Sequence, residues 1–295
     1  MNFCYAAPAS LHEALVFLAE RGPDSSILAG GMSLVPALKK GLLTCKCIVN
    51  IKGIGESLVP VLDAANNRLT IGALVRHREI ETSPLVAEHF PALRALEERL
   101  ASVQVRNHGT LVGNLCAAEP WSDPPCLLAA LDARLTVVAN RGERQLSAAD
   151  WISSVEQTLR EPDEVLLGFD LPLPRNGIGV GHARLAARQG LARPLACAAA
   201  QVDVAENGAV ASARVFVGAV GPRPQRISEV ESMLVGARWS EELSGAVEHA
   251  VARSVEYLAD ERCGEPFKRQ VAGVLARRAI AEAVENARTR RGQSQ

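Results

Sequence analysis

Two glycine-bearing segments carry the chemistry this sequence could do. In the first, the apolar run Ser26-Ile27-Leu28 meets Ala29-Gly30-Gly31-Met32-Ser33-Leu34, and a helical pattern follows at once. Glycine has no Cβ, so the chain can turn sharply there and a ligand can lie directly on the backbone amides. A helix starting at Ser33 aims its unpaired N–H groups and the positive end of its dipole back at that turn. Together they would suit an anion, phosphate above all, although a plain tight turn before a helix reads the same way. The second segment is Gly109-Thr110-Leu111-Val112-Gly113-Asn114, with Asp123 nine residues beyond it. A hydroxyl, a glycine amide and a carboxamide can bind phosphate or ribose oxygens, and a carboxylate can accept from two ribose hydroxyls. An exposed polar loop is the plainer alternative. Neither segment is the dinucleotide fingerprint G-x-G-x-x-G or the phosphate loop G-x-x-x-x-G-K-[ST].

The elements around these segments follow from periodicity. Ser10 and Glu13 form an S-x-x-E capping box ahead of Leu11, Ala14, Leu15 and Leu18, which share one helical stripe. Short strands at Ser25–Gly30 and Cys47–Ile51 flank a helix over 33–43, so residues 1–55 read as strand–helix–strand–helix–strand. Two apolar runs around Asn66-Asn67 suggest a hairpin. Helical patterns occupy 76–82 and 85–100. The stretch 104–125 then breaks the periodicity, a helix resumes near 126–133, and strands follow at 134–139 and 164–174. Pro172 and Pro174 mark a domain boundary. Beyond it, strands near 181–188, 195–204 and 209–220 are joined by Asn207-Gly208, a type I′ hairpin signal. Helices follow near 227–235, 240–257 and 265–287, then a frayed basic tail.

Composition narrows the function. The chain has 295 residues, a formal net charge of −1 and 48% hydrophobic residues, enough for two packed domains. Near-zero charge with scattered basic residues argues against nucleic acid or an anionic membrane as the main partner. No stretch of about 20 apolar residues suggests a membrane span, and the N-terminus lacks the pattern of a signal peptide, so a cytoplasmic location is expected. The seven cysteines contain no C-x-x-C pair, and Cys45 and Cys47 are too close for a usual metal half-site. Buried reduced thiols, and no metal of the chain's own, are the expectation.

Four stretches occur together in order: Phe3-x-Tyr5-x-x-Pro8-x-Ser10-Leu11-x-Glu13-Ala14, the Ala29–Leu34 turn, Val105–Leu115, and Ser122-Asp123-Pro124-Pro125 running into Ala133. Together they resemble the FAD-binding medium subunits of the xanthine dehydrogenase and carbon monoxide dehydrogenase family of molybdenum hydroxylases. The resemblance implies an α+β chain. A two-lobed FAD-binding domain of the p-cresol methylhydroxylase type would span 1–175, with lobes about 1–55 and 56–175. A flavoprotein-like C-terminal domain of antiparallel sheet and helices would span 176–288, and a tail 289–295. It implies that FAD pyrophosphate rests on the backbone of Ala29, Gly30, Gly31, Met32, Ser33 and Leu34, and that Thr110, Gly113 and Asn114 form the second phosphate loop. It further implies Asp123 near the ribose, Leu166 near the adenine and Arg184 near the isoalloxazine.

On that resemblance no side chain here acts on the organic substrate. Electrons would pass from an iron–sulfur small subunit, fed by a large subunit carrying the molybdenum cofactor, through FAD to an external acceptor, in a heterotrimer. A stand-alone FAD-dependent oxidoreductase of the same fold is the alternative, and a module that has lost FAD a third. The family usually has Thr-Ile-Gly-Gly-Asn where this chain has Val112, and valine disfavours positive φ. An extended backbone at Val112, or a shifted flavin, would follow. Glu119 for aspartate and the Gln189–Pro194 stretch are further departures. His108 reads as a loop histidine without a catalytic part, and Trp121 as an apolar lid over the loop.

Overall fold

The computed structural model describes residues 4–54, 67–188 and 192–292. The first lobe is β1 (Cys4–Ala6), α1 (Leu11–Arg21), β2 (Ser25–Leu28), α2 (Leu34–Lys39) and β3 (Cys47–Asn50), with a parallel sheet in the order β1-β3-β2. Ser10 caps α1, its Oγ accepting from Glu13 N at 3.2 Å, but the reciprocal half of the capping box does not form: Glu13 Oε2 accepts instead from Ala9 N, one residue before the cap, at 2.9 Å. One cysteine expectation fails here. Cys4 and Cys47 are in register on adjacent strands with Cα atoms 4.4 Å apart, and they form a disulfide. Cys126 and Cys197 are the buried free thiols. Cys45 and Cys263 are half-buried, and Cys116 is exposed.

The second lobe begins with β4 (Arg68–Gly72) and three short helices, α3 (His77–Thr82), α4 (Pro84–His89) and α5 (Pro91–Glu98). Pro84 and Pro91 restart the helix, because each lacks an N–H and fits only the first turn. The stretch with broken periodicity is not a plain loop. It contains α6 (Val103–Arg106) and α7 (Leu111–Ala117), too short for a repeating stripe. Then come α8 (Pro124–Ala130), β5 (Arg134–Ala139), β6 (Gly142–Ser147), α9 (Ala148–Trp151), β7 (Ile152–Ser154), β8 (Gln157–Thr158) and β9 (Val165–Pro172). The lobe's antiparallel sheet runs β4-β9-β5-β6. The first arm of the hairpin expected around Asn66-Asn67 lies outside the described residues.

The last part comprises β10 (Ile178–Ala186), β11 (Pro194–Val204), β12 (Val210–Gly218), β13 (Gln225–Arg226), α10 (Ser228–Leu234), α11 (Glu241–Ser254) and α12 (Glu265–Gly292). Its sheet is antiparallel in sequence order. The β11–β12 hairpin forms, but only Gly208 takes positive φ, at +80°, so the turn is not type I′. Gly208 N donates to Ala205 O, and Ala205 N to Ala209 O, which closes a longer loop with glycine in its left-handed position. The basic end is not frayed, since α12 continues to Gly292.

β11 explains how the parts join. Side chains alternate across a strand. Ala196, Ala198, Ala200 and Val202 join one core with α11 and α12, while Cys197 and Ala199 join the other core with α8 and the second lobe. A strand covered on both faces must be apolar throughout, which the run Leu195–Ala200 satisfies.

Trp121 is not a lid over the glycine loop. The Nζ of Lys268 lies 3.8 Å from its ring centroid and the Arg262 guanidinium 4.9 Å. Lys268 is fully enclosed, donates to Ala219 O at 3.0 Å and pairs with Asp260 at 2.5 Å. A ring from the second lobe thus covers a buried ion pair between the last helix and the segment just before it. Lys268→Met should lower unfolding free energy by about 3 kcal/mol, because one partner of a buried pair is lost. Denaturant titration checks this, and a wild-type midpoint would refute it.

Candidate functional site

The two glycine segments meet. A Cβ on Gly30 would lie 2.4 Å from the His108 carbonyl oxygen and 2.7 Å from Gly109 Cα. No side chain fits there, so the loops touch backbone to backbone. Gly31 has φ +78°, a left-handed conformation that favours glycine. The chain then presents Met32 and Ser33 to solvent at the start of α2. Among the described residues, the amides of Met32, Ser33 and Leu34 meet no acceptor. Ser33 occupies the N-cap position but makes no side-chain cap bond. An open row of backbone donors therefore lies against the second loop, a cradle suited to a polyanion.

A buried polar frame holds the second loop. Gly109 O accepts from His77 N at 3.0 Å, and Val75 O from Leu111 N at 3.4 Å. The His77 ring nitrogen Nδ1 lies 2.8 Å from Glu97 Oε2, and both residues are buried. Arg106 bonds Glu81 at 2.8 Å through Nε and the carbonyls of Leu100 and Ala101 through Nη1. Sequence reasoning missed His77, Glu81, Glu97 and Arg106. Their types and spacing carry no distinctive signal, because a charged residue on a short polar helix reads as exposed until its tertiary contacts are known. His108 bonds Gln104 O through its ring, and its own carbonyl faces Gly30, in keeping with a loop role.

Within the second loop, Thr110 is the N-cap of α7, and its Oγ1 accepts from Gly113 N at 3.0 Å. A Cβ on Gly113 would approach that same Oγ1 to 2.6 Å, so the glycine serves the cap. Asn114 Oδ1 accepts from Ser122 Oγ at 2.8 Å, which orients its carboxamide. Val112 lies in the first turn of α7 and is buried in the core. It is helical, neither extended nor at positive φ, so the extended backbone expected of the valine is not found.

Asp123, Leu166 and Arg184 lie on other elements, at the start of α8, on β9 and on β10. Leu166 is a core residue of β9, only 3% exposed. Asp123 is also 3% exposed, at the start of α8, and makes no side-chain cap bond. Its Oδ2 lies 3.3 Å from Arg184 Nε. The Arg184 guanidinium also donates to Arg99 O at 2.9 Å and Ala192 O at 2.8 Å. Burial pushes the Asp123 carboxyl up to about 6 against the lowering effect of Arg184. Burial likewise pushes His182 down to about 3, with Arg184 and Arg99 adding to it, so its imidazole is neutral. The residue's edge is half-buried, while its Nε2 is enclosed.

The fold sets a two-lobed first part, with an open row of backbone amides where its two glycine segments meet, ahead of a part made of antiparallel sheet and helices. Comparison with known proteins makes this specific. Residues 1–174 match the FAD binding domain in molybdopterin dehydrogenase, and residues 182–283 match the CO dehydrogenase flavoprotein C-terminal domain. The chain belongs to this family of FAD-binding subunits. It is 30% identical over 284 residues to the caffeine dehydrogenase subunit beta of Pseudomonas sp. (strain CBB1), covering 96% of this chain and 95% of the other. It is 31% identical over 283 residues to the nicotine 6-hydroxylase medium subunit of Paenarthrobacter nicotinovorans, covering 95% and 96%. A solved carbon monoxide dehydrogenase chain from Hydrogenophaga pseudoflava superposes with a TM-score of 0.91 at 28% identity, covering 97% and 98%. None of the described helices is long and apolar enough to cross a membrane.

Separating the two loops should cost FAD before it costs the fold. Gly30→Ala should weaken FAD by more than about tenfold, because its methyl group pushes the second loop away. Gly113→Ala should instead cost about 1 kcal/mol of stability through the lost cap. Flavin titration of each apoprotein, with thermal melts alongside, distinguishes the two; equal losses of affinity would contradict the separate roles.

Proposed function

We propose that this chain is the electron-relaying flavin subunit of a molybdenum hydroxylase complex. One observation carries the reading: the backbone-only contact of Gly30 with His108–Gly109, beside free amides, within a chain matched end to end by this family. FAD accepts electrons singly or in pairs and releases them singly or as a hydride. The residues present fit that group. The amides from Ala29 to Leu34 would take the pyrophosphate, while Thr110, Gly113 and Asn114 shape the facing loop. The buried Arg106–Glu81 and His77–Glu97 pairs hold that loop rigid, so little ordering cost falls on binding. The resemblance's further contacts, Asp123, Leu166 and Arg184, would extend that binding toward the ribose, the adenine and the isoalloxazine.

The relay reading requires partners: a subunit with [2Fe–2S] clusters and one with the molybdenum cofactor. Multi-subunit relatives, named as medium or beta subunits, support it. No side chain in the cradle is arranged as a nucleophile or general base, in keeping with a subunit that holds and tunes a flavin. Purification under native conditions should yield FAD, not FMN, with iron and molybdenum co-eluting. A lone yellow chain that turns over a small molecule by itself would instead establish a stand-alone flavoenzyme and overturn the relay.

A further inference from the structure

The two lobes meet at a second point built like the first. A Cβ on Gly22, just after α1, would lie 2.5 Å from the Pro162 carbonyl oxygen, 2.7 Å from its carbonyl carbon and 3.0 Å from Asp163 N. Gly22 has φ −49° and ψ −49°, ordinary helical values open to any residue. Glycine is required there by closeness, not by backbone freedom. Gly22 belongs to the first lobe, and Pro162 to the turn between β8 and β9 of the second. β2 lies between this contact and the one at Gly30, so the first lobe touches the second on either side of one strand. The four residues of β2 span about 13 Å of extended chain. They pair in register with β3, so holding β2 holds the whole sheet of the lobe.

The turn that receives Gly22 is stiffened by charge. Glu164 is buried, and its carboxylate accepts from Arg144 Nε at 2.7 Å and Nη2 at 2.8 Å, from Arg141 Nη2 at 2.8 Å and from Glu161 N at 2.7 Å. Burial pushes this carboxyl up, but the Arg144 fork, the Glu161 amide and the Arg141 charge outweigh it and hold it below its usual range. Arg160 Nη1 donates to the carbonyls of Glu161, Pro162 and Glu164 at 3.0, 3.3 and 2.8 Å. The carbonyl that abuts Gly22 is thus held by Arg160 from its own lobe.

We propose that Gly22 and the turn 161–164 are positioning residues for the flavin, a second steric stop that fixes the angle between the lobes and so the spacing of the two glycine loops. A single contact at Gly30 is a pivot. A second contact, beyond the other end of β2, stops the swing. The cradle needs such a stop, because amides cannot follow a displaced ligand by changing rotamer. A methyl group on Gly22 must drive Pro162 O away by about 1 Å to reach ordinary contact. A shift of that size takes an amide–oxygen bond of about 2.9 Å out of range. These residues act through geometry, from the far end of β2.

The proposal rests on the flavin reading and adds to it the residues that set the lobe spacing. Full-length apoproteins titrated with FAD, followed by flavin fluorescence, test it. Gly22→Ala should bind FAD roughly tenfold more weakly than wild type and alter the visible circular dichroism of the bound flavin. Gly245→Ala, on α11 with nothing near its added methyl, should bind as wild type. Glu164→Gln softens the turn, so the Gly22 methyl should cost less affinity in the double variant than alone. Amide exchange of the apoprotein, which needs no flavin, should quicken over residues 105–111 in Gly22→Ala while α12 keeps its wild-type rates. Wild-type FAD affinity in Gly22→Ala, with or without a lower melting temperature, marks a merely structural contact and overturns the proposal; so do fully additive losses in the double variant. A wild-type apoprotein that binds no FAD sinks the flavin reading instead, and the exchange rates over 105–111 then decide the stop by themselves.

Discussion

The constraint on which this structure depends is steric: two stretches of main chain touch where no side chain can stand. Gly30 lies so close to His108 and Gly109 that even a methyl group would overlap them. That contact brings a turn from the first lobe onto a turn from the second, and it leaves the amides after Gly31 without protein acceptors. Backbone recognition of this kind requires rigid supports, because an amide has no rotamers with which to adapt. The supports are visible beneath the second loop. Arg106 ties α6 to α3 and to the end of α5, and His77 ties α3 to α5 while its amide holds Gly109. Breaking a buried polar contact costs far more than losing a surface one, so these contacts resist local opening.

The C-terminal sheet serves the same end from the other side. β11 feeds both cores, one face against α12 and the other against α8. The long final helix and the flavin-binding lobe are thus coupled through one strand, with no flexible linker required between them. The Trp121, Lys268 and Asp260 cluster adds a polar clasp along that seam. The enclosed Asp123, His182 and Cys197 atoms sit in the same seam, so its polar content is concentrated where the two domains must stay in register.

Much of this was legible in the sequence. The cap at Ser10, the alternating strands and helices of the first lobe, the strand around Leu195–Val204 and the two glycine segments all depend on local pattern, which a sequence states directly. Other features depended on tertiary neighbours. The disulfide needed the register of β1 against β3, which cysteine spacing does not reveal. The short helices α6 and α7 are too brief to show a period, and the Thr110 cap looks identical to a loop threonine. Trp121 read as a lid because its partner, Lys268, lies far along the chain. The enclosure of Asp123 and Leu166 likewise comes from elements distant in sequence.

Val112 shows why such a site survives wide divergence. The chain departs there from the pattern it resembles, and from the residue type alone the departure looks damaging. Yet in the first turn of α7 the valine side chain is buried in the core and the backbone is ordinary helix. A cradle built from main chain constrains only positions where a Cβ would collide or where φ is positive. Gly30 and Gly31 meet those conditions, and Gly113 meets the first through its cap. The remaining positions are free to vary with packing. That is how a chain about 30% identical to its relatives keeps the same fold over nearly its whole length.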